Sequence, residues 1–146
     1  MASTALRAAI LGIDAYPVHV EVDTDRTLPT VTVAGLPDST VRESKERVLA
    51  AIKNAGYQWP RRRVTVNLAP ADRTKEGLAF HLPIALGELS LNGSLRPVHG
   101  ILSIAASLHE QGVYGMTLPT QNAREAATGN GPLVYAVSTL NEAVDI

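Results

Sequence analysis

The side chains best equipped for chemistry in this 146-residue sequence stand in one run, Tyr57-Gln58-Trp59-Pro60-Arg61-Arg62-Arg63, three arginines beside the only tryptophan. A guanidinium can fork two N–H donors onto a phosphate, and an exposed aromatic ring can stack on a base. The composition therefore suits single-stranded or flexible nucleic acid. The same residues have a plainer use, in which Trp59 packs against a preceding helix and the arginines form the solvated start of a strand. Charge along the chain is uneven in a way that the net of −1 hides. Residues 40–76 carry nine bases against four acids, +5, and the remainder four bases against ten acids, −6. One segment is basic and the rest acidic, which matters more to a polyanion than the total. Within the basic segment Arg42, Lys45 and Arg47 alternate with Glu43 and Glu46, so intrahelical pairing partly neutralises them. Arg61, Arg62, Arg63, Arg73 and Lys75, with Trp59 alongside, rank ahead of them as DNA contacts.

Other chemistries are poorly provided for. With no cysteine there is no disulfide, thiol nucleophile or thiolate zinc site. No glycine is followed by lysine, so a Gly-x-x-x-x-Gly-Lys-Ser/Thr nucleotide loop is missing from these residues. His19, His81, His99 and His109 fall at no metal-ligand spacing, and the expectation is no metal and no cofactor. No apolar run approaches the roughly 18 residues needed to span a bilayer. Met1-Ala2-Ser3-Thr4 offers no basic stretch leading into a signal-like core, so a cytoplasmic protein without a membrane partner is expected.

The elements that must hold these residues are legible in outline. Alternating apolar and polar residues over 6–11, 18–22 and 31–33 predict half-buried strands and an antiparallel three-stranded start. From Asp38 the apolar Val41, Val48, Leu49, Ile52 and Ala55 share one helical face, with Asp38 or Ser39 as N-cap and Gly56 as terminator. Residues 63–68 predict a strand ended by Pro70, and residues 78–86 a short helix in which Pro83 must either sit in the first turn or make a kink. Asn92-Gly93, between strands over 88–91 and 94–97, suits a type I′ hairpin. A helix over 101–111 closed by Gly112, a strand over 116–118, a helix over 120–127 and a strand over 133–137 follow. The strand–helix–strand order predicts a parallel pair. Thr139-x-x-Glu142 reads as a capping box for a last short helix. One junction is odd: Leu86-Gly87-Glu88-Leu89 turns a helix into a hairpin strand through about one residue, where such links normally take 2–6.

Several longer motifs carry a resemblance. Gly35-Leu36-Pro37-Asp38, Glu43-Ser44-Lys45-Glu46-Arg47-Val48, Ala50-Ala51-Ile52-Lys53-Asn54 and Val64-Thr65-Val66-Asn67-Leu68-Ala69-Pro70-Ala71-Asp72 stand in the first half. Leu82-Pro83-Ile84-Ala85-Leu86-Gly87, Gly93-Ser94-Leu95-Arg96-Pro97-Val98 and Pro119-x-x-Asn122-Ala123-x-Glu125-Ala126-Ala127 continue in the second. In this order the set resembles the N-terminal, Lon-protease-like domain of ComM/YifB-type (magnesium-chelatase-like) AAA+ ATPases, over nearly the whole chain. The resemblance implies an α+β fold, the two-layer sandwich shared by the Lon proteolytic domain and a ribosomal small-subunit protein, with a mixed sheet backed by helices. Residues 1–146 would form one domain, with the ATPase domain absent. Family members usually carry roughly twenty more residues at the odd junction, which agrees with the loop argument and implies either a deletion near 87–88 or a stretch missing from this sequence.

A Lon-type peptidase needs a serine nucleophile and a lysine base. By the resemblance those slots fall on Ala79 and Leu102, so the dyad is vacant and no enzyme is expected in this domain. Ser103 is one residue beyond Leu102 and, on a helix, turned about 100° away. His81 stands where the family usually has aspartate. The expected role is that of a non-catalytic accessory domain of a ring-forming ATPase, in DNA contact, subunit assembly or both, with the family's link to DNA recombination, branch migration and natural transformation. A protein–protein assembly module without DNA binding is the alternative, and a Lon-type serine peptidase the remote one.

Overall fold

Two long antiparallel strands open the chain in the computed structural model, which describes every residue except Met1, Gly12, Ile13, Leu36, Pro37 and residues 71–82. β1 (Ala2–Leu11) and β2 (Asp14–Asp25) pair from Ala2↔Asp23 to Leu11↔Asp14. β3 (Val31–Ala34) then feeds α1 (Asp38–Asn54), which returns the chain to β4 (Arg63–Pro70). β4 lies between β3, its parallel partner, and β2, its antiparallel one. The expected three-stranded antiparallel start is corrected here. Alternation marks 31–33 as a strand but cannot name its neighbour, and a strand left through a helix comes back parallel to itself.

β5 (Ile84–Ala85), β8 (Gly115–Pro119) and β9 (Leu133–Val137) complete a seven-stranded mixed sheet in the order β3-β4-β2-β1-β5-β8-β9. β5 corrects the helix expected over 78–86, of which residues 78–82 lie outside the described residues. A two-stranded hairpin, β6 (Glu88–Leu89) and β7 (Leu95–Arg96), stands apart from the sheet. α2 (Ile101–Glu110), α3 (Thr120–Ala126) and α4 (Leu140–Val144) are the other helices among the described residues. β8 and β9 are parallel, as the strand–helix–strand order predicts.

Because successive strand residues face opposite ways, the register sorts the side chains. Val18, Val20 and Val22, Val64, Val66 and Leu68, and Val31 and Val33 share one face and are buried or half-buried. On the other face Glu21, Asp23, Asp25, Asn67, Thr32 and Ala34 are exposed. On α1, Ala51 is fully buried. Toward β8 the second face turns apolar: Ala8, Ala15, Ile84, Met116 and Leu118 join Ile101, Ile104, Ala105 and Leu108 of α2 and Ala126 of α3 in the main core. Each large side chain buried there contributes about 1.5–3 kcal/mol. A mixed sheet packed with helices agrees with the expected α+β class.

Helix ends follow the local signals. Gly56, at φ 90, closes α1 in a Schellman motif, with Gly56 N–H donating to Lys53 O and Tyr57 N–H to Ile52 O. Thr139 Oγ1 accepts from Glu142 N–H, the first bond of the expected capping box, while Glu142 Oε2 reaches one residue past the cap and accepts from Ser138 N–H at 2.6 Å. Asn122, buried in α3, spans Val98 with both amide groups, and Glu125 Oε1 accepts from Leu102 N–H at the start of α2.

The Asn92-Gly93 hairpin exists, but with a wider turn than expected. Ser90 N–H donates to Ser94 O, so three residues, Leu91 to Gly93, form the loop instead of two, with Gly93 at φ 84. A type I turn ending in a left-handed glycine closes a hairpin of this length, and Asn92 Oδ1 stabilises it by accepting from Ser94 N–H and Ser94 Oγ–H. The tip rests on the end of α1: Asn54 Nδ2 donates to Leu91 O. A Cβ on Gly93 would come within 3.4 Å of Ala51 O and Ala55 Cβ. Gly93→Ala is expected to lower stability by about 1–2 kcal/mol, the cost of left-handed backbone for an L-residue, read as a shift in the urea midpoint. No shift would mean that Gly93 does not hold the left-handed conformation on which the turn depends.

Candidate nucleic-acid interface

The arginine run sits where the sheet ends. After the Schellman turn the chain passes through Trp59, which is half-buried, and Pro60, which is exposed, into Arg61, Arg62 and Arg63, all three exposed. Arg63 is the first residue of β4 and lies opposite Asp25, the last residue of β2. Half-burial of Trp59 leaves its ring only part of its surface for stacking, so the tryptophan serves packing as well. Arg73 and Lys75, the other two basic residues singled out, lie outside the described residues.

The fold adds residues that sequence reading passed over. The β2–β3 connection reaches the same end of the sheet, because Val64 N–H donates to Thr30 O at 2.8 Å next to Arg63. That connection carries Arg26, exposed, and Leu28, 82% exposed. Arg26 thus becomes a fourth arginine at one end of the sheet, 35 positions before Arg61. Acids set the limit of the surface. Glu21, Asp23 and Asp25 line the exposed face of β2, and Glu21 Oε2 accepts from Asn67 Nδ2 at 3.0 Å across β4. A polyanion is repelled along that face, so any contact is confined to the loops at its end. The i, i+2, i+4 spacing of the three acids on a predicted strand was the signal that could have shown this.

The remaining candidates are dispersed. Leu102 is exposed on α2 beside exposed Ser103, whereas Ala79 and His81 are outside the described residues. Leu102 borders a cavity of about 140 Å³ between α2 and the α3–β9 connection, below the 300–1,000 Å³ of ordinary ligand sites. His19 is half-buried on β2, and His99 and His109 are exposed. Among the described residues no three metal-ligand side chains converge, and no helix is long and apolar enough to cross a membrane. On α1 one of the expected intrahelical pairs is formed, Arg47 to Glu43 at 3.8 Å.

The sequence places the chain in a class, the magnesium-chelatase-like proteins: the family model described as subunit ChlI of Mg-chelatase matches residues 20–87 and 85–122. YifB of Escherichia coli, an uncharacterised protein, is 41% identical over 124 aligned positions, taking in 71% of this chain and 24% of YifB. Its counterpart in Salmonella typhimurium is 39% identical over 137 positions, 80% of this chain and 27% of that protein. Competence protein ComM of Haemophilus influenzae is 36% identical over 156 positions, 93% of this chain and 30% of ComM. Within the class, the chain belongs to the ComM/YifB-type family. It spans about a quarter to a third of the length of these relatives.

Proposed function

We propose that this chain is the Lon-protease-like, non-catalytic part of a ComM/YifB-type AAA+ ATPase and that it supplies a DNA-contact surface to a ring-forming assembly. The observation that carries the proposal is the exposure of Arg61, Arg62 and Arg63 together at one end of the sheet. Support comes also from one relative, whose name describes a competence protein, and from the family resemblance, which brings DNA recombination, branch migration and natural transformation with it. Nucleotide binding and ATP hydrolysis belong, in this proposal, to the part of the longer relatives that this chain does not match. No cofactor, metal or peptidase role is assigned here, and the setting is cytoplasmic.

Three phosphates held on a single strand give a log–log salt slope of about −2, at about −0.7 per contact. Fluorescence anisotropy of a labelled single-stranded oligonucleotide, titrated at several salt concentrations, is expected to show that slope. Changing Arg61, Arg62 and Arg63 to glutamate should remove the binding while leaving the thermal midpoint nearly unmoved, since the side chains are exposed. Absence of any salt-sensitive binding by the unaltered chain at low salt would sink the direct-contact proposal. The second reading, an assembly surface, is favoured by the exposure of Leu91, Leu133 and Val144. It predicts a sedimentation coefficient that rises with protein concentration in the absence of DNA.

A further inference from the structure

Residues 84–86 receive two incompatible instructions. In the sequence Leu78, Ala79, Leu82, Ala85 and Leu86 recur at helical spacing, a pattern that runs up to Gly87. In the fold Ile84 and Ala85 are a strand, paired with Leu6 and Arg7 of β1 on one side and with Met116 and Thr117 of β8 on the other. Ile84 is fully buried, and Leu86 N–H donates to Thr117 O at 2.9 Å, continuing the strand's bonding. Only Gly87 separates Leu86 from β6. A helix reaching Leu86 and a strand at Ile84 cannot both form, and no residues remain to divide the two tasks.

Relatives have those residues. The aligned 71% of this chain amounts to about 104 residues, set against 124 positions of alignment with Escherichia coli YifB; the aligned 93% amounts to about 136, set against 156 positions with ComM. The deficit is about twenty in both. The family pattern also breaks in two at this place, its segments meeting and overlapping at residues 85–87. We infer that this chain lacks about twenty residues of the family pattern between Leu86 and Glu88, and that β5 is a substitute strand, drawn from residues patterned as a helix into a slot that the missing segment occupies in relatives.

The physical reason for the substitution is the position of the slot. Left empty, it would expose the backbone edges of β1 and β8 in the middle of the sheet, and unpaired edges are costly and aggregation-prone. Helical propensity differs among ordinary residues by only a few tenths of a kcal/mol each, so the sheet wins the competition.

The test is to insert the corresponding twenty-residue segment of Escherichia coli YifB between Gly87 and Glu88 of the full chain, beside a glycine–serine insert of equal length. With the YifB segment, carbon chemical shifts of Ile84, Ala85 and Leu86 are expected to change from strand to helix sign, far-UV circular dichroism to gain helix, and the thermal midpoint to rise by about 5 °C or more, whereas the flexible insert lowers it. Strand-type shifts at Ile84 to Leu86 that persist in the YifB-segment variant, with both inserts lowering the midpoint alike, overturn the inference. The outcome is independent of DNA binding, so it stands or falls apart from the proposed function.

Discussion

Ile84→Ala is expected to cost about 3 kcal/mol of unfolding free energy, within the 2–5 found when a buried isoleucine or leucine is cut to alanine. Ile84 is at 0% exposure in the main core, on a strand of only two residues. The strand nevertheless connects the β1–β4 half of the sheet, which carries the arginines, to the β8–β9 half with its helices. Besides β5, Ser107 and Gln111 of α2 bond to the backbone of Ala15 at the start of β2, and Asn141 of α4 donates to Ala55 O at the end of α1. No neighbouring residue of β5 can collapse into the void, because Ala85 faces the other way and is exposed. For a domain with a total of about 5–15 kcal/mol, such a loss brings a large part of the population to unfolding at moderate urea. The control is Ala85→Thr, a β-branched residue at an exposed strand position, expected within about 0.5 kcal/mol of the unaltered chain. Urea denaturation followed by tryptophan fluorescence measures both; a cost below about 1 kcal/mol for Ile84→Ala would mean that β5 does not hold the halves together.

The same strand explains much about what the sequence could disclose. Features set by near neighbours were legible: the stop at Gly56, the capping box from Thr139 to Glu142, and α2 with its buried face. Each depends on residues within one or two turns, so pattern and structure cannot diverge far. Features set across the sheet were not. The pairing of β3 with β4 was hidden because alternation reports burial and is silent on partners. Ile84 and Ala85 were read as helix because tertiary demand on the slot between β1 and β8 overrides local spacing. The candidate interface divides in the same way. Three consecutive arginines announced themselves, whereas Arg26 was counted with the acidic remainder and joins them only through the bond from Val64 N–H to Thr30 O. Trp59, whose two uses could not be separated from the sequence, is half-buried and so serves packing at least in part.

Asn122→Ala is expected to cost about 2–4 kcal/mol, because it strands two backbone groups at once. Asn122 is 4% exposed, its Nδ2 donates to Val98 O and its Oδ1 accepts from Val98 N–H, both at 2.9 Å. Val98 lies in the connection between β7 and α2, where neither sheet nor helix satisfies the backbone, so the amide of α3 supplies both partners. A buried group left without its partner costs about 1–3 kcal/mol. Asn122→Asp separates this account from mere loss of volume. Ionised, the aspartate still accepts from Val98 N–H but turns a second oxygen toward Val98 O, a repulsive pair in a buried site; protonated, it can donate there as asparagine does. The folded state therefore raises the aspartate's pKa above its unfolded value of about 3.9. A raised folded pKa means that the unfolded state releases its proton first. The variant's stability is then fully present below pH 3.9 and lost as pH rises through the folded value. Urea midpoints measured against pH, relative to the unaltered chain at each pH, should show the gap between Asn122→Asp and the parent narrowing in acid, while the gap for Asn122→Ala stays constant. Equal, pH-independent losses for both variants would mean that Asn122 is held for its size, and the clamp on Val98 would contribute nothing to the placement of α2 on the sheet.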